Sequence, residues 1–475
     1  MMDKKHKGTK HSIYKPQIRQ YFNIFASETS KSQSPPHNIF LITVINCLSN
    51  VTMVRLRGYN LVLFLILIMQ IRCSTSKKTS IRDITEDFHD TLPKNNKNII
   101  EQKLRNDGKI NDDIYLNITQ LITKYKYSVE VYEVITSDGY VIKLFRIPGN
   151  GAVVFLMHGL ISSADDWISG GVESGLAYLL AQLGYDVWMG NARGNKHSRS
   201  NIYIDPSEKK FWDFSFHEIG MIDVPTMIDF VLEKTNKSSL IYIGHSQGTT
   251  AFFIMCSLRP EYNKKITLMI SLSPVAWLSH MKSPVLNILK PFYGELVFLA
   301  SALGVVEVVQ DSRVLRGLQK MFCGDVVWAF TICQHLTFII GGFNYNQTNY
   351  DQLPVIYNHF PSGSSLKQLE HYGQLVLSGH FRQFDYKVKN IEKYGSLTPP
   401  SYPVEKITAP VALFYGEGDW LSDVSDVQIL KSRLPNLVEF YRVDDDNFSH
   451  FDFIYAADTK NLLLANILRL IKKIH

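Results

Sequence analysis

Three residues of the kind that perform acyl transfer occur in order along the chain. Ser246 lies in Gly244-His245-Ser246-Gln247-Gly248, Asp419 in Gly416-Glu417-Gly418-Asp419-Trp420, and His450 after Asn447-Phe448-Ser449. A serine hydroxyl is a poor nucleophile until an imidazole takes its proton, and the imidazole needs a carboxylate on its second nitrogen to fix tautomer and orientation. Serine, acid, histidine is the order required when the serine sits on a sharp strand-to-helix turn. For the acid, Glu417, Asp423 and Asp426 compete. Asp419 is preferred because it lies in the glycine-bearing loop nearest the end of a strand, whereas Asp423 and Asp426 read as capping or solvating the helix that follows. For the base, His217, His335, His359, His371 and His380 compete, and none of them follows a late strand. Attack on an ester builds an oxyanion that needs preorganised N–H donors. The backbone N–H of Gln247, next to the nucleophile, and that of Leu160, in Met157-His158-Gly159-Leu160, are the expected pair. His158 itself reads as a packing and hydrogen-bonding residue rather than a base.

Those roles demand particular elements. Residues 240–243 are a short apolar β-branched run and 248–258 an apolar helical stretch, so Ser246 falls on the turn between them. Gly244 and Gly248 are needed there because a Cβ would strike the neighbouring strand or helix. Around this turn, strands over 152–157, 186–189 and 266–272 alternate with helices over 175–183 and 223–234. The alternation resumes with a strand over 410–415, a helix over 423–434, a strand over 438–443 and a terminal helix over 460–473. Ahead of all this come a short helix over 117–125 and two strand-like runs, 129–135 and 140–147, flanking Ser137-Asp138-Gly139, which predicts a β-hairpin on the sheet edge. Apolar strands separated by helices predict an α/β fold with a mostly parallel sheet covered on both faces and a ligand site at the carboxyl ends of the strands. Between 274 and 403 the alternation gives way to helix-like apolar stretches at 285–289, 296–309 and 326–340. This segment reads as a helical cap inserted into a core of 113–273 and 404–475. A cap with an apolar underside suits a lipid substrate.

Composition sets the outer bounds. With 475 residues and 45% apolar content the chain buries a large core and exceeds one minimal domain. The formal charge is +6, but residues 1–73 carry ten Lys/Arg against Asp3 and Glu28, an excess of +8 that leaves −2 for residues 74–475. The folded part is near neutral, so no nucleic-acid partner is expected. The apolar run 61–69, with Arg55 and Arg57 before it and Arg72-Cys73-Ser74 after, has the build of a signal peptide over 53–73. It is shorter than the roughly 20 residues of a transmembrane helix, so no stable membrane span is expected in the mature protein. A cleaved signal starts at the N-terminus, so translation is expected from Met53, with 1–52 a disordered extension and 74–112 a loosely ordered linker. No Cys/His cluster has metal spacing, and neither metal nor cofactor is expected. Cys256 reads as a buried free thiol, while Cys323 and Cys333 could close a short loop in an oxidising compartment. Sequons at Asn117, Asn236 and Asn346 fit glycosylated surface loops, and the sequon at Asn447 is expected to be unoccupied because a glycan there would crowd His450. Asp444-Asp445-Asp446 reads as a solvated turn and Asn191-Ala192-Arg193-Gly194-Asn195 as a structural turn with a supporting charge.

With these residues in place, the chain from about Asn117 to its C-terminus resembles the acid lipase family of gastric and lysosomal lipases and their insect relatives. The resemblance is carried by Glu133-Val-Ile-Thr-Ser-Asp-Gly-Tyr, Met157-His-Gly-Leu, Gly190-Asn-Ala-Arg-Gly-Asn, Gly244-His-Ser-Gln-Gly, Leu272-Ser-Pro-Val-Ala, Gly379-His-Phe-Arg-Gln-Phe-Asp-Tyr, Tyr415-Gly-Glu-Gly-Asp-Trp-Leu and His450-Phe-Asp-Phe. It implies the α/β-hydrolase fold with a helical cap, a triad of Ser246, Asp419 and His450, and oxyanion donors on Leu160 and Gln247. It also implies hydrolysis of neutral lipid esters at a lipid–water interface, often at acidic pH. Cys323 and Cys333 resemble the family's cap disulfide with one extra residue between them. Ser449 stands where the family commonly carries asparagine, and Gly341 replaces a third family cysteine. The expected function is cleavage of triacylglycerols, cholesteryl esters or related lipids through an acyl-enzyme, by a protein delivered to the lysosome or secreted. The alternatives are a lipase-fold lipid carrier, which has no need to retain all three triad residues, and a small-ester carboxylesterase. The oligomeric state stays open.

Overall fold

Eight strands form one sheet in the order β1-β2-β4-β3-β5-β6-β9-β10, from Glu130–Ile135 (β1), Val141–Ile147 (β2), Val153–Met157 (β3), Asp186–Gly190 (β4), Leu240–His245 (β5), Ile266–Leu272 (β6), Val411–Tyr415 (β9) and Leu437–Arg442 (β10). The computed structural model describes residues 111–308 and 337–474, which belong to one compact unit. The expected extension 1–52, the signal peptide 53–73 and all of the 74–112 linker but its last two residues lie outside the described residues. So do Cys323, Cys333, His335 and most of the helix-like stretch 326–340.

The six strands from β4 to β10 run parallel, and β2 runs against both its neighbours, which makes the first hairpin the antiparallel edge. Every residue of β3, β4 and β5 is buried, as a parallel sheet covered on both faces requires. Successive side chains go to opposite faces. Val153, Phe155 and Met157 of β3 join one cluster with Met227 and Val231 of the helix Val224–Thr235, whereas Val154 and Leu156 join a second with Leu176 and Leu180 of the helix Leu176–Gln182. The terminal helix Ala465–Ile474 closes that second face with Ile467, Leu470 and Ile471, a spacing that puts all three on one helical stripe. The hairpin turn Ser137-Asp138-Gly139 has Gly139 at φ +90, a conformation in which any Cβ would also strike the Tyr203 ring.

Between β6 and β9 the chain leaves the sheet. Helices Pro284–Leu289 and Tyr293–Ala302 come first, with no residue buried. The apolar run 296–309 does not continue as one helix. It stops at Ala302, Gly304 turns the chain at φ +74, and Glu307–Val308 (β7) pairs antiparallel with Ser364–Ser365 (β8). Helices Leu353–His359 and Leu366–Ser378 follow. The second of these buries the polar Gln368, His371 and Gln374 beside Leu375, while Tyr372 and Val376 pack partly buried against the core.

Candidate active site

β5 ends at His245, and the helix Gln247–Leu258 begins immediately after Ser246. Ser246 is held at φ 51, ψ −115, and its N–H donates to the carbonyl of Leu272 across the sheet at 3.1 Å. This left-handed backbone costs a serine about 1–2 kcal/mol and points its side chain above the strand ends. The turn closes only because its flanks lack side chains. A Cβ on Gly248 would stand 2.2 Å from the Met157 carbonyl oxygen, and one on Gly244 would stand 2.8 Å from the backbone of Gly248.

The loops after β9 and β10 bring the other two residues to the serine. His450 Nε2 accepts from the Ser246 hydroxyl at 2.9 Å, so its proton is on Nδ1, which lies 3.1 Å from each oxygen of Asp419. Asp419 and His450 are buried and Ser246 is partly exposed, so of the three Ser246 alone faces the outside. Asp419 Oδ1 accepts the N–H groups of Leu421 and Ser422 at 2.9 and 2.8 Å. The Gly341 carbonyl accepts from the N–H of Trp420 and the N–H of His450, tying the acid loop to the histidine loop. A Cβ on Gly341 would stand 2.6 Å from the Phe451 ring, so any side chain here requires that ring to shift. His245 Nε2 lies 3.0 Å from the His450 carbonyl. Burial pushes the pKa of His245 well down, so it is neutral and donates that hydrogen bond.

Sequence reasoning passed over Ser273. Its hydroxyl lies 2.6 Å from Asp419 Oδ2 and 2.7 Å from His450 Nδ1, and it is fully buried at the end of β6. The available signal was its place just past a strand end in Leu272-Ser-Pro, the same kind of position that singled out Asp419 and His450.

The loop after β3 packs against Ser246. A Cβ on Gly159 would come within 3.3 Å of Ser246 Cβ. His158 Nε2 accepts the Ala192 N–H at 3.0 Å, so its Nδ1–H donates to the Gly159 carbonyl at 2.7 Å. Burial pushes the His158 pKa down to about 4, which keeps it neutral in this tautomer. With that carbonyl pinned, the planar trans peptide leaves the Leu160 N–H on its opposite side. The Gln247 N–H belongs to the first turn of a helix, where backbone donors have no intrahelical partner and the helix dipole favours negative charge.

The competing residues are engaged elsewhere. Asp423 caps the helix Val424–Arg433, and Glu417 faces Arg442 at 3.5 Å. Asp426 is not solvated but buried against His280, because His280 offers it both a ring nitrogen at 2.9 Å and its N–H at 2.8 Å. His217 lies 2.9 Å from the Tyr402 hydroxyl, His371 between Ser215 and the Arg382 carbonyl, and His359 2.6 Å from Asp165. His380 is exposed, as are Asn117, Asn236, Asn346 and Asn447. Cys256 is a buried free thiol. Among the described residues no group of three or more His, Cys, Asp or Glu is arranged to hold a metal ion.

Asp452 supports the histidine loop from below. Its Oδ2 accepts the Ser449 N–H at 2.6 Å, and burial pushes its pKa up to about 7. A folded-state pKa above the unfolded value means that the native protein binds the proton more tightly. This group's penalty is therefore absent below about pH 4 and grows as pH rises through about 7. Asp452→Asn keeps the acceptor and removes the charge. It is expected to raise the melting temperature at neutral and mildly alkaline pH, with the gain shrinking as pH falls toward the unfolded carboxylate range. Thermal unfolding of both proteins across that range measures it, and a gain that grows toward acid contradicts it.

Such an arrangement can pass the Ser246 proton to His450 as the oxygen attacks a carbonyl, return it to the departing alcohol, and repeat the cycle with water. The family model described as alpha/beta hydrolase fold matches residues 152–301, and the one described as partial alpha/beta-hydrolase lipase region matches residues 118–171. Lipase 3 of Drosophila melanogaster is 41% identical over 352 residues, which are 72% of this chain and 89% of that protein. The gastric triacylglycerol lipase of Homo sapiens is 36% identical over 379 residues, 76% of this chain and 92% of that protein. Among solved structures, an epoxide hydrolase from Vigna radiata is matched at a TM-score of 0.42 and 16% identity, over 73% of this chain and 98% of that one. Taken with the parallel sheet and its serine turn, the identities to lipases over most of their length show that this chain belongs to the acid lipase family of the α/β-hydrolase fold.

Proposed function

We propose that the protein is a serine ester hydrolase that cleaves neutral lipid esters, such as triacylglycerols or cholesteryl esters, through an acyl-enzyme on Ser246. The observation that carries this reading is the hydrogen-bonded series Ser246, His450, Asp419, with the nucleophile as its one solvent-facing member. Leu160 and Gln247 supply the oxyanion donors in this reading. A lipid-carrying protein gains nothing from an ordered series of this kind.

Two features favour a water-insoluble substrate. The helical stretch Pro284–Ala302 has a mean hydropathy of 1.2, long and apolar enough to cross a membrane by length and composition, with none of it buried. Ile288, Phe292 and Phe298 on it are 46%, 57% and 74% exposed, an apolar surface suited to the lipid–water interface. Beside the His450 loop, Phe338, Leu353, Ile356, Phe360 and Phe451 line a largely apolar cleft. Delivery through the secretory pathway to the lysosome or the exterior agrees with the exposed sequons Asn117, Asn236 and Asn346. A Cys323–Cys333 bridge belongs to the same proposal.

Turnover of emulsified triolein compared with tributyrin below its solubility limit, from acidic to neutral pH, tests the reading. Faster turnover per enzyme once substrate forms an interface is expected. Activity confined to dissolved short-chain esters would assign the protein to the small-ester carboxylesterases, and absence of a p-nitrophenol burst from any ester would leave the carrier.

A further inference from the structure

We infer that Ser273 is a positioning residue that relays the hydrogen bond between His450 and Asp419, an inference that rests on the serine hydrolase reading above. The imidazole lies 3.1 Å from each carboxylate oxygen, whereas the route through the Ser273 hydroxyl has shorter legs of 2.7 and 2.6 Å. His450 Nδ1 carries its proton, because Nε2 must accept from Ser246, so Nδ1–H donates to Ser273 Oγ. The Ser273 O–H then has Asp419 Oδ2 as its acceptor. Each proton stays on its own heavy atom. The carboxylate polarises the hydroxyl, and the polarised hydroxyl in turn stabilises positive charge as it develops on the ring.

Three further observations set this serine apart from a filler. Asp419 Oδ1 is already committed to the N–H groups of Leu421 and Ser422, so Oδ2 is the oxygen free to act through Ser273. Ser273 is fully buried, so its hydroxyl is shielded from bulk solvent. Its backbone is at φ 53, the left-handed region where glycine would be strain-free, and its N–H is anchored to the Phe414 carbonyl at 3.0 Å. A side chain is thus kept where backbone geometry alone favours none.

The position therefore admits a clean pair of variants. Ser273→Ala removes the hydroxyl, and Ser273→Gly removes it while relaxing the backbone. Both are made in the full chain and assayed on tributyrin, with sites counted by fluorophosphonate titration and stability followed by melting temperature. In both, kcat per titrated site is expected to fall about tenfold with KM within about twofold, the mark of an interaction made in the transition state rather than with bound substrate. Ser273→Gly is expected to melt no lower than Ser273→Ala, so that the loss of turnover separates from any loss of folding. Turnover per site within about twofold of wild type in both variants, or a loss confined to melting temperature, overturns the relay. Wild-type turnover that Ser246→Ala abolishes, with both Ser273 variants unaffected, overturns it alone; wild type without turnover, or Ser246→Ala that keeps it, overturns the hydrolase reading first.

Discussion

Ser246→Ala is expected to lower kcat on any ester by about five to six orders of magnitude while leaving the protein folded. The size of the loss follows from the role: with no Oγ there is no acyl-enzyme, and His450 and Asp419 have no nucleophile to activate. What remains is binding and oxyanion stabilisation, which together keep only about 10³–10⁴ over the reaction in water. Folding is spared for local reasons. Alanine and serine meet the same strain at φ 51, the Ser246 N–H keeps its bond to Leu272, and the side chain donates only to His450. A stability change below about 1 kcal/mol is expected. Turnover on tributyrin and covalent labelling by a fluorophosphonate measure the two sides independently. Activity within about tenfold of wild type would contradict the triad, since loss of a nucleophile costs far more.

The parts of this site that were legible in the sequence are those where one backbone event leaves a residue signature. A buried parallel strand is a short apolar run, so β3, β5, β6, β9 and β10 lie within a residue or two of where their patterns put them. The serine turn is readable because its close packing on Met157 and on its own second glycine tolerates no Cβ. Asp419 and His450 followed from position past a strand plus chain order. Ser273 shares that position but has an ordinary side chain, and only the folded chain brings its hydroxyl between acid and base. The cap was harder for a physical reason. The helix Leu366–Ser378 buries two glutamines and a histidine, and the partners of Gln374 and His371, Asp385 and Ser215, are ones that no local pattern foretells. Likewise, the apolar run after residue 296 looked like one helix, but the Gly304 turn and the β7–β8 pairing divide it.

Arg193→Met is expected to destabilise the fold by about 3–5 kcal/mol at neutral pH, the usual loss when one partner of a buried ion pair is removed. The Arg193 side chain is 1% exposed and that of Asp223 is wholly buried, with Nε and a terminal nitrogen 2.8 and 2.6 Å from Asp223 Oδ1. Its other face reaches Asp138 in the first hairpin, and the guanidinium lies 4.0 Å from the Tyr140 ring centre. Methionine fills the volume but leaves Asp223 buried without its cation. Burial already pushes the Asp223 pKa up against the pull of Arg193, so without the arginine the carboxyl will take up a proton instead. The sign follows: the variant's deficit is greatest at neutral pH and narrows as pH falls toward the unfolded carboxylate value. Pairing Arg193→Met with Asp223→Asn removes both charges and is expected to cost less than the sum of the two single changes in urea unfolding, whereas strict additivity would show that the pair does not interact. The deficit should reach the chemistry as well. The neighbouring Ala192 N–H fixes the His158 tautomer, and His158 pins the Gly159 carbonyl beside the nucleophile, so a loosened Arg193 turn is expected to lower kcat even at temperatures where the variant remains folded.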